Sequence, residues 1–259
     1  MARQWIAGAV TSAVLALAVS GCGSAGGAEQ SGHGTKPVTV FAASSLSGAL
    51  EEAKSAFAKV HPGMEIRLNL GGSSTLVAQL RNGAPADLFA SADEPTMDKA
   101  VDAGLTDGPV RFFADNTLSL LVQKGNPDKI RGLEDLNRED LTVSLCGPQV
   151  PAGRYARQAL ERADVPVPSG GEELDVKQVV SRVTLGEADA GIVYATDAKA
   201  ASGKADAVAI AEDQNVVAHY PASVLNTGDN AAGAKVFLDF LLSSEGKEIL
   251  KKHGFRDPQ

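Results

Sequence analysis

The chain is poor in the residues that most often carry chemistry. Its 259 residues include two cysteines, four histidines, three methionines and one tryptophan, and aromatic side chains make up 5%. Two cysteines cannot frame a disulfide scaffold. His33, His61, His219 and His253 are scattered, with none at metal-ligand spacing from another His or Cys. They read as solvated surface residues, and no cation site is expected. The GxxxxGK[ST], HExxH, GxSxG and CxxC patterns and the EF-hand loop are all missing. That removes the usual signatures of nucleotide hydrolysis, zinc peptidases, serine hydrolases, dithiol redox chemistry and calcium binding. Positive charge is short too: 24 Lys and Arg stand against 32 Asp and Glu, a formal net charge of −8. The average field repels polyanions, so nucleic acid is disfavoured as a partner.

Long apolar runs are also lacking, with one exception at the N-terminus. Arg3 precedes a largely apolar stretch from Trp5 to Val19 that ends in Ser20-Gly21-Cys22, the layout of an export signal. It is short for a membrane span, and no later stretch reaches the roughly 18 consecutive apolar residues a transmembrane helix needs. Leu17-Ala-Val-Ser-Gly-Cys22 resembles the bacterial lipobox, whose cysteine takes a lipid and becomes the first mature residue. Residues 1–21 are therefore read as a lipoprotein signal peptide, Cys22 as the lipidated residue, and the Gly, Ser and Ala-rich residues 22–36 as a flexible tether. An acidic chain is not held at an anionic membrane by charge, which leaves the lipid as the anchor. Cys146 is then single, and after the apolar run from Leu141 it reads as a small buried residue at a strand end. Two motif matches carry nothing. Residues 21–26 fit GxGxxG but follow a signal peptide instead of a strand, and Ser244-Glu-Gly-Lys247 fits SxxK without its SDN and KTG companions.

What is present is alternation of period. Strand patterns at residues 37–42, 64–70, 87–90, 117–122, 141–146 and 190–194 interleave with helical patterns at 46–60, 74–80, 151–162, 176–185 and 231–242. Such alternation predicts an α/β fold of parallel sheets with helices on both faces, its ligand beyond the carboxyl ends of the strands. Hydroxyls and helix starts coincide repeatedly, at Phe41-Ala-Ala-Ser-Ser45, Gly71-Gly-Ser-Ser-Thr75, Val150-Pro-Ala-Gly153 and Asp175-Val176. Singly, each is an ordinary cap. Together, free N–H groups, hydroxyls and positive dipole ends aimed at one cleft make a site for a small anion without Lys or Arg.

The segments Val40-Phe-Ala-Ala-Ser-Ser-Leu46, Gly72-Ser-Ser-Thr-Leu76, Gly83-Ala-Pro-Ala-Asp-Leu-Phe-Ala-Ser-Ala-Asp93, Val150-Pro-Ala-Gly153 and Gly191-Ile-Val-Tyr194 resemble the molybdate-binding proteins of bacterial ABC transporters. The resemblance runs from about Pro37 to Phe255. It implies the two-lobed type II periplasmic binding-protein fold with its ligand between the lobes. It places lobe I at 37–115 and 221–259 and lobe II at 116–220. It implies an oxyanion held by the hydroxyls and N–H groups of Ser45 and Ser73, the N–H groups of Ala152 and Val176, and the phenol of Tyr194. Where the family often has Ala-Ala-Ala-Ser, this chain has Ala42-Ala43-Ser44-Ser45, which leaves Ser44 as a competitor for Ser45. The bound species is then molybdate or tungstate, with no cofactor and no catalysis, and the partner is a membrane permease served by a monomer. A binding protein of the same fold for sulfate or another oxyanion is the nearest alternative. An exported hydrolase and a structural lipoprotein are remote ones, and ferric-ion binding is disfavoured because Tyr155, Tyr194 and Tyr220 include no adjacent pair.

The anchor has a direct test. Cys22→Ala is expected to release the protein from membranes, because two or three acyl chains hold stably and nothing else in the chain does. Membrane fractionation in high salt reads this, and retention of the variant overturns the lipid assignment.

Overall fold

A computed structural model of the protein describes residues 36–259, so the signal peptide, Cys22 and all but the last residue of the tether lie outside the described residues. The described chain forms strands β1 (Val38–Ala43), β2 (Ile66–Gly71), β3 (Leu88–Ala90), β4 (Arg111–Gln123), β5 (Val143–Cys146), β6 (Glu172–Glu173), β7 (Ala190–Tyr194), β8 (Ala205–Ala209) and β9 (Val217–Val224). The helices are α1 (Ser47–Val60), α2 (Ser73–Arg81), α3 (Glu94–Asp102), α4 (Pro151–Arg162), α5 (Val176–Thr184), α6 (Ala195–Ala200), α7 (Ala231–Leu242) and α8 (Ser244–His253). The helices form where apolar residues recur at helical spacing. In α1, Ala49, Leu50, Ala53 and Phe57 are buried, and the Phe57 ring meets Phe237 of α7 edge-on at 5.1 Å.

The sheet runs β2-β1-β3-β9-β4-β7-β5-β6, with β8 also on β4. Its strands fall into two groups that share β4. The first half of β4 pairs with β9 and the second half with β7 and β8. Within each group the expected parallel pairs occur: β1 with β2 and β3, and β5 with β6 and β7. The expectation of parallel sheets alone is corrected, because β9 is antiparallel to β3 and β4, and β4 is antiparallel to β7 and β8. Of these, β4 carries the chain from one group to the other. Pro221 lies within β9 opposite Phe112, and the register shifts between Phe112 and Ala114. A residue without an N–H is accommodated at such an irregularity.

Cys146 is buried at the end of β5, and burial pushes its thiol far above the usual range, so it is an inert core residue. Two of the histidines are not simply solvated. His219 Nδ1 lies 2.7 Å from Asp115 Oδ1 and His253 Nε2 lies 2.9 Å from Glu52 Oε2, both partly buried. These partners are 104 and 201 residues away in sequence, beyond the reach of any local pattern.

Asp87, in the Gly83-Ala-Pro-Ala-Asp87 run, shows what that sequence does for the fold. Its buried carboxylate accepts from the backbone N–H of Thr39 in β1 at 2.7 Å and of Asn230, the cap of α7, at 2.7 Å. A Cβ on Gly228 would lie 2.1 Å from the same carboxylate, so the closing segment must be glycine there to approach it. Asp87→Ala strands two N–H donors. A loss of about 2–6 kcal/mol is expected by urea denaturation, since each unpaired buried donor costs roughly 1–3. An unchanged midpoint would show that the carboxylate is not holding these segments.

Candidate functional site

Six chain segments meet at one small cavity: Ala43–Ser45, Gly71–Ser73, Ala92, Val150–Ala152, Asp175–Val176 and Tyr194. Ala43, Gly71 and Tyr194 are the last residues of β1, β2 and β7, while Ala92 follows β3, so the cavity lies beyond the carboxyl ends of strands from both groups. Its free volume is about 10 Å³, far below the roughly 300–1,000 Å³ of sites for drug-sized ligands. A nucleotide does not fit that scale. No Lys, Arg or His lines it.

The lining offers donors. The cap residue of α4, Val150, gives no side-chain bond, and Pro151 at the first position has no N–H, so Ala152 presents the first N–H of α4. In α5 the carboxylate of Asp175 accepts from Lys177 N at 2.8 Å and Gln178 N at 3.2 Å, which leaves the first N–H, that of Val176, to the cavity. The only charged residue in the lining is thus occupied by its own helix. Ser73 does not cap α2, whose cap residue is Gly72 and makes no side-chain bond. Instead Ser73 Oγ accepts from the N–H of Ala92 at 3.1 Å. An N–H only donates, so the hydroxyl proton of Ser73 is left for the cavity. Ser45 is no cap either; it sits in a 3-10 turn (Ser44–Leu46) leading into α1, its Oγ 2.9 Å from the hydroxyl of Tyr220. Ser44 lines the same wall.

Tyr194 closes the floor. Its side chain is buried, and its hydroxyl has no hydrogen-bond partner among the described residues. Burial pushes the phenol well above its usual range, so it keeps its proton and serves as a donor. Next to it, Lys177 Nζ holds Asp197 Oδ1 at 2.8 Å, tying the start of α5 to α6 just past Tyr194. Burial pushes the carboxyl of Asp197 up, with Lys177 opposing that rise.

The structure therefore brings Ser45, Ser73, Ala152, Val176 and Tyr194 to one cavity. Ser244 and Lys247 lie apart on α8, with Ser244 exposed. Among the described residues no cluster of three His, Cys, Asp or Glu is placed to hold a metal ion. The tyrosines do include a close pair, contrary to the sequence reading: Tyr194 and Tyr220 meet edge-on at 5.7 Å because β4 brings β7 and β9 together.

Two contacts join the groups across the cavity, and sequence reasoning missed both. Arg154 of α4 donates from Nε to Asp93 Oδ2 at 2.8 Å, and from Nη2 to Asp93 and to Thr96 Oγ1, the latter at 2.7 Å. Asp93 is 1% exposed and caps α3. The second contact is steric. Gly72 has φ −62° and ψ 129°, open to any residue, yet a Cβ there would lie 2.3 Å from the carbonyl oxygen of Leu174. Nothing local marks either pair, since each joins residues from different groups.

The family model for bacterial extracellular solute-binding proteins matches residues 38–256. The molybdate-binding protein ModA of Mycobacterium tuberculosis is 37% identical over 98% of this chain and 100% of its own. The chain belongs to this solute-binding family, with the molybdate-binding proteins. Among solved structures, the periplasmic molybdate-binding protein of Azotobacter vinelandii superposes with a TM-score of 0.77 at 24% identity, covering 86% of this chain and all of that one. The sulfate-binding protein SubI of M. tuberculosis gives 0.74 at 20%, covering 85% and 86%. At these identities the likeness fixes the fold, the two-lobed α/β binding-protein fold. The two groups of strands in this solute-binding protein are its lobes, and the cavity lies between them.

Gly72→Ala tests whether closure depends on the Leu174 contact. Its backbone angles suit alanine, so the fold should stay intact by circular dichroism while the lobes stand further apart, with a larger radius of gyration in X-ray scattering. An equal radius for variant and wild type would show that the Leu174 segment yields instead.

Proposed function

We propose that this solute-binding protein captures molybdate, and tungstate with it, outside the cytoplasm and delivers it to the permease of an ABC transporter. It acts as a carrier and not as an enzyme. The observation that carries the reading is the Tyr194 hydroxyl, buried and unpaired among the described residues, in a cavity that also presents the hydroxyls of Ser45 and Ser73 and the first N–H groups of α4 and α5. A tetrahedral dianion without a proton accepts from every side, whereas hydrogen phosphate brings a proton that needs an acceptor. Ser45, Ser73, Ala152, Val176 and Tyr194 hold the ion. The identity to molybdate-binding relatives supports the choice among dianions. Lobe I spans residues 37–115 and 221–259, lobe II spans 116–220, and the monomer is anchored through lipid on Cys22.

The resemblance in fold to a sulfate-binding protein keeps sulfate as the second reading. Calorimetry and thermal shift with molybdate, tungstate, sulfate and phosphate separate the two. Molybdate and tungstate should bind far more tightly than phosphate and stabilise the fold by about 2.7 kcal/mol at a hundredfold excess over Kd. Sulfate preferred over molybdate selects the second reading, and no response to any oxyanion defeats both. Ser45→Asp, which sets a carboxylate against the dianion, should abolish binding. Ser44→Asp is the control: binding lost there and kept in Ser45→Asp assigns the ligand to Ser44.

A further inference from the structure

Behind Ser45 a chain of buried hydrogen bonds runs through β4, the strand that the two groups share, and β9 beside it. Its direction can be read from groups whose roles are fixed. The backbone N–H of Thr117 donates to Asn116 Oδ1 at 2.9 Å. A peptide N–H has no other role, so the amide oxygen of Asn116 faces Thr117 and its NH2 faces the other way. That NH2 donates to Thr196 Oγ1 at 2.9 Å and to the hydroxyl oxygen of Tyr220 at 3.5 Å. Tyr220 is fully buried, and its remaining hydroxyl contact is Ser45 Oγ at 2.9 Å. With its oxygen accepting from Asn116, Tyr220 gives its one proton to Ser45. Ser45, accepting there, keeps its own proton for the cavity.

We infer that Tyr220 is a positioning residue that sets the polarity of the Ser45 hydroxyl, making it a donor toward the ligand and thereby excluding protonated oxyanions. The inference rests on the proposed oxyanion reading. Tyr220 does not line the cavity and acts only through Ser45. With the opposite polarity Ser45 would donate to Tyr220 and turn a lone pair to the ligand, an arrangement that suits the hydroxyl of hydrogen phosphate. Burial also pushes the Tyr220 phenol up, so the relay keeps its proton at ordinary pH.

Tyr220→Phe tests this on the full chain. The ring packs edge-on against Tyr194 at 5.7 Å and Phe255 at 5.3 Å, contacts that Phe retains. Molybdate and phosphate affinities are measured by calorimetry, with phosphate also titrated as a competitor of molybdate. In Tyr220→Phe, molybdate is expected to weaken about tenfold and the phosphate-to-molybdate Kd ratio to fall by about the same factor, the worth of one oriented hydrogen bond. Adding Tyr220→Phe to Ser45→Ala should change nothing further, because the effect runs through that hydroxyl. An unchanged ratio in Tyr220→Phe, or effects that add in full in the double variant, overturns the inference. If Tyr220→Phe does not fold, Asn116→Ala frees the Tyr220 proton. The ratio should fall there too, and an unchanged ratio overturns the inference equally. Wild-type protein that binds no oxyanion at all refutes the proposed function instead, and the two failures are told apart by that single titration.

Discussion

The site depends on one constraint, that hydrogen-bond donors must be fixed in direction before a ligand arrives. Peptide N–H groups at helix starts meet it by construction, because the helix holds them and has no partner for them. Hydroxyls do not, since each can turn and present a lone pair. Ser73 is turned by the N–H of Ala92 and Ser45 by the hydroxyl of Tyr220. Asp175 also lines the cavity, but its carboxylate is spent on the first turn of α5. The cavity therefore presents protons from both sides while holding no formal positive charge.

That arrangement demands two bodies, and β4 and β9 provide them. β4 crosses from one group of strands to the other and β9 lies along its first half, and the antiparallel pairs concentrate there. Donors from the ends of β1 and β2 face donors from the starts of α4 and α5 only when the groups approach. The approach is limited by the Gly72 to Leu174 contact and held by Arg154 on Asp93 and Thr96. The ion pair lies beside the cavity and outside its lining, so its charge steadies closure without offering a cation to the ligand. Arg154 is partly exposed while Asp93 is buried, so the pair is discounted by solvent on one side only.

Much of this was legible in the sequence where the physics is local. Helices α4 and α7 and strand β7 begin and end where periodicity places them, because a helix start, an apolar stripe and a short buried run are each written within a dozen residues. The convergence of Ser45, Ser73, Ala152, Val176 and Tyr194 was legible through helix-start chemistry joined to family resemblance. Strand β9 was missed because Pro221 argues against a strand. The first half of β4 was missed because Arg111, Asp115 and Asn116 break its apolar run. Helix α3 was missed although Asp93 and Pro95 give an ordinary start signal, since its short body is polar. Arg154, Asn116 and Tyr220 were illegible for another reason: their roles exist only in partners 58 to 175 residues away.

Neutral donors also suit a protein that must let go. A cavity lined with Lys or Arg would attract every small anion, and closing it would bury a strong charge pair that resists separation. Dipoles and hydroxyls hold a dianion through many contacts, each modest and each dependent on geometry. Parting the lobes removes about half of the donors at once, since Ser45 and Ser73 lie on one lobe and Ala152, Val176 and Tyr194 on the other. The Asn116 relay adds a further dependence, for it reaches Thr196 on α6 of the second lobe while it orients Ser45 on the first. Opening that disturbs β4 and β9 would loosen the Ser45 hydroxyl as well as draw the opposing donors away. On the proposed function, capture in a closed form and release in an open one follow from the same set of oriented groups, without any change of charge in the protein.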